Sequence, residues 1–219
     1  MRRLILIILA VALSVSLFTA CSAPDVTLTE GEFVAQVYLT HGDRVGSVKI
    51  LRNGRTIDKW KIDSSVNDSG ASLEFVDLNF DGHPDLRLLA ETGEHNRYSC
   101  RLYSPDAEMF YTNDKLNSLL DVTVDTAAKQ LTAYYRTHTT EPATIDSPGE
   151  YIDEEGTEAY EWQNGKLCIV RRECVTYYSE TDIYCVALWE IDAYGEFSPT
   201  RERWLTPDQY ERAGYEPIS

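Results

Sequence analysis

The sequence lacks the short motifs that identify the common hydrolases and nucleotide-binding enzymes. It contains no Gly-x-Ser-x-Gly, no His-Glu-x-x-His and no glycine-rich loop of the kind that cradles a phosphate. Its four histidines, His41, His83, His95 and His138, are scattered. Neighbouring acids such as those at residues 154–155 do not establish a glycosidase, because two carboxylates must face each other across a substrate. We therefore predict that the protein is not an enzyme.

Basic residues are scarce: 20 Lys and Arg stand against 36 Asp and Glu, and the net charge at pH 7 is −16. Such a surface repels phosphate backbones and anionic lipid headgroups, which argues against nucleic-acid binding. It favours cationic partners or metal ions, or it serves only to keep an exported protein soluble. Hydrophobic residues make up 43% of the chain, which is enough for a buried core and excludes disorder of the whole chain.

The chain has one long apolar run, and it lies at the amino end. Arg2 and Arg3 precede an uninterrupted apolar stretch over residues 4–13, and small residues then lead to Cys21. This order is typical of a secretory signal, and its end resembles the lipobox of bacterial lipoproteins. We predict a signal peptide over residues 1–20, lipidation of Cys21, a tether over residues 21–31 and an exported, membrane-anchored protein. An uncleaved anchor, for which the run is short, and plain secretion are the alternatives.

Cysteine is also scarce, and the four cysteines after Cys21 lack the Cys-x-x-Cys spacing of zinc sites. An even number of cysteines in an exported chain favours two disulfides instead, for which three pairings exist. Because Cys174 and Cys185 fall on consecutive predicted strands, we expect them to bridge. Cys100 would then pair with Cys168.

Residues 32–219 predict one antiparallel all-β domain, a sandwich or a partial propeller, with one short C-terminal helix. Short stretches alternate apolar and polar residues between turn signals. Asn-Gly pairs at residues 53–54 and 164–165 predict tight hairpins, since both residues adopt positive φ at low cost. A Thr-Pro start and a Gly stop predict the helix over residues 206–214. Residues 139–158 are rich in Thr, Pro, Gly and acids, so we expect a long exposed acidic loop, either functional or disordered.

The most specific stretch is residues 77–85, Asp-Leu-Asn-Phe-Asp-Gly-His-Pro-Asp. Calcium takes six to eight oxygen ligands, and such loops supply them from positions 1, 3, 5, 7 (through the carbonyl) and 9, with a glycine at position 6 for the sharp turn. An EF-hand would end in glutamate at position 12, where this chain has Leu88, so we expect the loop to join two strands. An acidic turn without metal is the alternative. The predicted calcium ligands are Asp77, Asn79, Asp81, His83 and Asp85.

This loop, together with residues 102–105 and 162–167, resembles bacterial exported lipoproteins that carry a single EF-hand-type calcium loop. Their β domain is similar to integrin-type FG-GAP (VCBS-like) units and to periplasmic inhibitors of invertebrate-type lysozyme. The resemblance covers roughly residues 33–197. It implies calcium at the loop and a role as an immunity protein that blocks a peptidoglycan-cleaving enzyme.

We therefore expect a non-enzymatic, calcium-binding envelope lipoprotein whose partner is a cationic protein such as a cell-wall hydrolase, steered by the acidic surface. Two alternatives remain open: an exported hydrolase that uses acidic residues, and a surface adhesion module. Facing carboxylates in a pocket would favour the hydrolase, whereas a convex all-β surface would favour the binding protein.

Overall fold

The computed structural model describes residues 23–40, 44–62, 73–140, 151–192 and 195–214. In these residues the protein is antiparallel β-sheet with two short helices, which confirms the predicted all-β fold class and the short C-terminal helix. The predicted signal peptide and Cys21 lie outside the described residues. No helix in the described part of the chain has both the length and the apolar character needed to cross a membrane.

The first sheet has four strands in chain order. They are β1 (Val26–Glu30), β2 (Phe33–Thr40), β3 (Arg44–Arg52) and β4 (Arg55–Lys61). Alternate residues of β2 and β3 are buried, as expected for strands with one face on a core. The β3–β4 hairpin closes at the predicted Asn-Gly pair, where Asn53 and Gly54 have φ of 50° and 78°.

The second sheet contains the other ten strands. These are β5 (Leu73–Val76), β6 (Asp85–Glu91), β7 (Arg97–Ser104), β8 (Met109–Tyr111), β9 (Leu120–Asp125), β10 (Gln130–Thr140), β11 (Tyr151–Gln163), β12 (Lys166–Tyr178), β13 (Ile183–Ile191) and β14 (Phe197–Leu205). Nine of them follow the order β14-β13-β12-β11-β10-β9-β7-β6-β5, and β8 pairs with β7. Helix α1 (Asp114–Ser118) precedes β9, and α2 (Pro207–Arg212) follows β14.

Two buried clusters meet at the predicted calcium loop. The first joins the inner face of the four-stranded sheet to β6, β7 and β8, and it includes Leu86 directly after the loop. The second lies under α1, β7 and strands β9 to β11, and it includes Leu78 near the start of the loop. The loop is therefore held between these two of the four buried clusters.

The expectation of a long acidic loop over residues 139–158 is wrong at both ends. Strand β10 continues to Thr140 and β11 begins at Tyr151, while residues 141–150 lie outside the described residues. The acids of β11 are tolerated in a strand because they have partners. Buried Asp153 lies 2.9 Å from His138 Nδ1, and buried Glu158 accepts a hydrogen bond from Arg172 Nε at 2.9 Å.

The predicted Cys174–Cys185 disulfide is not formed, and both cysteines are free thiols. They do lie on neighbouring strands, but Cys174 is opposite Ala187 and Cys185 is opposite Thr176. The two cysteines are therefore diagonal neighbours, a relation in which residues are about 7–8 Å apart. A disulfide cannot span Cα atoms more than about 7 Å apart without movement of the backbone.

The second predicted disulfide is absent for a different reason. Cys100 is on β7 and Cys168 is on β12, and both are free thiols. Strands β9, β10 and β11 lie between them in the sheet. The neighbours of Cys168 in β12, Leu167 and Ile169, pack against the cluster that contains Cys100, so the alternation of a strand turns Cys168 to the other face.

Candidate metal centre

The loop of residues 77–85 joins two antiparallel strands, as predicted: Val76 in β5 is opposite Asp85 in β6. Leu78 is fully buried, and its carbonyl accepts a hydrogen bond from Trp162 Nε1 at 2.8 Å. Gly82 has φ of 86°, a left-handed conformation that costs glycine little and makes the sharp turn. Leu78 thus anchors the turn to the core, and Gly82 provides its change of direction.

Three of the predicted ligands come together around this turn. Asp77 accepts hydrogen bonds from the amides of Asp81 at 3.1 Å and Gly82 at 2.9 Å. Asn79 Oδ1 accepts from the same Asp81 amide at 3.1 Å, and its Nδ2 donates to Asp81 Oδ2 at 2.9 Å. Asp81 in turn accepts from the His83 amide at 2.8 Å. The side chains of Asp77, Asn79 and Asp81 therefore accept hydrogen bonds from backbone amides that follow them in the loop.

Asp85 plays a different part, because it is fully buried. Its Oδ2 accepts from the amides of Leu78 at 2.8 Å and Asn79 at 3.3 Å, and its Oδ1 accepts from the amide of Tyr103 at 2.7 Å. A carboxylate offers about four lone-pair sites, so roughly one is left for a further partner. Asp85 ties the loop to β7.

The surroundings of Asp85 do not suit an isolated negative charge. The pKa of Asp85 is raised from 3.8 to about 7, mainly by burial, with a smaller contribution from the nearby charges of Asp81 and Asp77 and against the effect of its backbone hydrogen bonds. Among the described residues, no Lys, Arg or His forms an ion pair with any of the three carboxylates. The site therefore favours a proton or a cation.

His83, the remaining predicted ligand, has its ring 6.0 Å from the ring of Tyr103 in an edge-on contact. The prediction that it binds through its carbonyl stays a prediction. Within the described ranges, no three His, Cys, Asp or Glu side chains gather into a metal-binding group. A cation held here would also need the amide oxygen of Asn79, the carbonyl of His83 and water. All of these are oxygen donors, which suit a hard cation such as calcium.

Sequence reasoning missed the surface beside the loop. Asp81 lies on the edge of a depression of about 360 Å³ that β8 and the turn before it also line. Met109 and Tyr111 are 50% and 40% exposed, whereas Phe110 between them is buried. The alternation of Met-Phe-Tyr in a strand next to the loop was a signal that could have identified two outward apolar side chains.

The acid pair Glu154 and Glu155 does not form facing carboxylates. The two side chains leave opposite faces of β11: Glu154 accepts from Tyr135 Oη at 2.8 Å, and Glu155 accepts from Tyr134 Oη at 2.9 Å. Glu154 also lies 3.4 Å from Arg172. The arrangement provides half-buried ion pairing and gives the hydrolase alternative no support.

No protein-family model matches the chain, and no curated protein matches it. A solved structure described as a Xanthomonas type IV secretion system related protein is similar, with a TM-score of 0.50 and 14% sequence identity. The match covers 80% of this chain and 92% of that chain. At this identity the similarity concerns the fold alone.

Proposed function

We propose that this protein is a non-enzymatic, calcium-binding lipoprotein of the cell envelope that binds, and thereby inhibits, a cationic peptidoglycan-cleaving enzyme. One observation carries the calcium part: Asp85 is fully buried next to the charges of Asp77 and Asp81, and no basic side chain of the described residues compensates them. A divalent cation would stabilise all three carboxylates at once.

Calcium would act here as a structural ion. Leu78 of the loop and Leu86 directly after it belong to two different buried clusters, so an ion that fixes residues 77–85 would also fix the β5–β6 hairpin and its contact with Tyr103. Asp77, Asn79, Asp81 and the carbonyl of His83 would hold the ion, with Asp85 as a direct or water-mediated ligand.

Three observations support the partner. The chain is strongly acidic, which attracts a basic enzyme surface and raises the rate of encounter. Exposed Met109 and Tyr111 lie beside the loop and offer apolar contact area next to that charge. The description of the similar solved structure as secretion-system related agrees with a place in a bacterial envelope, as does the resemblance to lysozyme-inhibitor lipoproteins.

The calcium proposal is tested by thermal unfolding with and without chelator, together with calorimetric titration of the ion. A ligand at 100 times its Kd stabilises by about 2.7 kcal/mol, which corresponds to roughly 5–10 °C for a domain of this size. Asp81→Ala should abolish both effects, and Asp106→Ala, in an exposed turn, should change neither. Equal melting with calcium and chelator, with no heat of binding, would contradict the proposal.

The partner proposal is tested by capture from the envelope fraction of the organism and by inhibition of an invertebrate-type lysozyme. We expect a basic wall-cleaving enzyme to bind and to lose activity, and we expect binding to weaken as salt rises. Met109→Ala should reduce binding without changing calcium affinity, because it removes exposed apolar area and adds no charge. Capture of a polysaccharide or an adhesin, with full lysozyme activity retained, would favour the adhesion module instead.

A further inference from the structure

The outer face of strands β11 to β14 carries an arrangement that the proposed function does not use. Along β14, Arg201 and Arg203 are exposed and two residues apart, so both leave the same face of the strand. Behind them lie the half-buried side chains Val175, Val186 and Leu188. Together these residues line an open cavity of about 500 Å³.

The register of the sheet explains this grouping. Val186 is opposite Arg203 and Leu188 is opposite Arg201, while Val175 is opposite Val186 on the other side. Where Tyr184 lies, the same face of the sheet is covered by helix α2. Tyr210 of α2 stacks on Tyr184 with 4.1 Å between the ring centroids. Helix α2 ends at Arg212, and no other element of the described residues covers the face beyond it.

The two arginines are unusual in this protein. The chain has 36 acidic residues, yet neither Arg201 nor Arg203 forms an ion pair within the described residues. By contrast, Arg171 on the same face pairs with Glu173. Two glutamates also line the cavity, but Glu155 lies 4.0 Å from Arg136 and Glu173 pairs with Arg171. Arg201 and Arg203 are therefore the two positive charges of the lining without an ion-pair partner among the described residues.

Within the part of the chain that the structure describes, β14 is also the last strand of its sheet, so its outer edge carries backbone groups without a strand partner there. A second copy of this chain is a poor occupant of that edge. In an antiparallel pair centred on Glu202, Arg201 would lie opposite Arg203 of the other copy, and the two Glu202 side chains would oppose each other. Like charges directly opposite destabilise a strand pair.

We propose that β14 binds an extended segment of a partner protein that carries acidic residues at alternate positions. The segment would add to the sheet as a new edge strand, with main-chain hydrogen bonds along residues 200–204 and with carboxylates beside Arg201 and Arg203. Pro199 has no amide hydrogen and ends the stretch that can pair. This proposal is independent of calcium and of the enzyme partner.

The test uses the full-length protein and short fluorescein-labelled peptides. One peptide alternates glutamate with valine or threonine, a second has the same composition with the glutamates contiguous, and a third has lysine in place of glutamate. Fluorescence anisotropy should show at least about tenfold tighter binding of the alternating peptide, because only its carboxylates lie beside both arginines when the backbone pairs with β14.

The charge-reversal variant Arg201→Glu/Arg203→Glu should lose this binding by at least about tenfold and gain affinity for the lysine peptide. The matched control Arg44→Glu/Arg55→Glu reverses two exposed arginines of the first sheet and should leave binding unchanged. Absence of binding, equal binding of the two glutamate peptides, or an equal loss in the control would each overturn the proposal. The arginines would then serve only to keep the edge from self-pairing.

Discussion

Replacing Asp85 by alanine should separate its structural role from calcium binding. The change removes the acceptor of three backbone amides, two of them in the buried residues Leu78 and Tyr103. A buried donor left without a partner costs about 1–3 kcal/mol. Since the Asn79 contact is longer, at 3.3 Å, we expect a loss of unfolding free energy of about 3–6 kcal/mol at pH 5 in calcium-free buffer.

The same substitution should cost less at higher pH. Burial raises the pKa of Asp85 to about 7, so the folded protein binds a proton that the unfolded chain releases near pH 4. The stability linked to this proton is fully present below pH 4 and is lost as the pH rises through 7. Between pH 5 and pH 8 the wild type should lose about 3 kcal/mol that the alanine variant does not lose, since each unit is worth about 1.4 kcal/mol.

The assay is urea unfolding of the two proteins at both pH values, with the difference in free energy as the readout. Titrations elsewhere in the protein are common to both and cancel in that difference. Asp106→Ala, in an exposed turn, serves as the control and should change stability by less than about 0.5 kcal/mol. A difference for Asp85→Ala below about 1 kcal/mol at pH 5, or one that does not depend on pH, would refute the reasoning.

Three further outcomes are expected. Gly156→Ala should destabilise the protein by several kcal/mol, roughly 2–4, since its Cβ would lie 2.0 Å from a backbone oxygen of β12; Gly93→Ala, with its nearest neighbour at 3.9 Å, is the control. Arg172→Ala should lower the free energy of urea unfolding by about 3–5 kcal/mol, because it leaves the buried carboxylate of Glu158 without its ion-pair partner. Arg171→Ala, at an exposed pair, should lower it by less than about 1 kcal/mol. With a thiol reagent and no reductant, Cys168 should react first, and the other three cysteines of residues 100–185 only on unfolding; any missing thiol would indicate a disulfide.

The parts of the fold set by neighbouring residues were predictable from the sequence. The Asn-Gly pairs mark both hairpins because positive φ is a property of those two residues. The position of the loop between β5 and β6 followed from the oxygen-bearing residues and from the apolar runs beside them. Each of these features depends on fewer than about ten consecutive residues.

The features that depend on distant partners were missed. The acids of β11 looked like a solvated loop because Arg172, which neutralises Glu158, lies on another strand. The predicted Cys174–Cys185 disulfide was wrong because the two cysteines are offset by two residues in the register of β12 and β13. A local sequence pattern does not reveal the register between strands. The role of Asp85 as a backbone anchor also depends on Tyr103, a residue that the loop motif does not contain.

The order of strands in the long sheet has a consequence for how the chain reaches its folded state. From β10 to β14 every strand pairs with the one that precedes it in sequence. As this half emerges from a ribosome or a translocation pore, the strand with which each new strand pairs has already emerged. Only the loop between the two strands must close for them to pair. Assembly of this half can therefore keep pace with delivery of the chain, and an incomplete intermediate exposes a single growing edge.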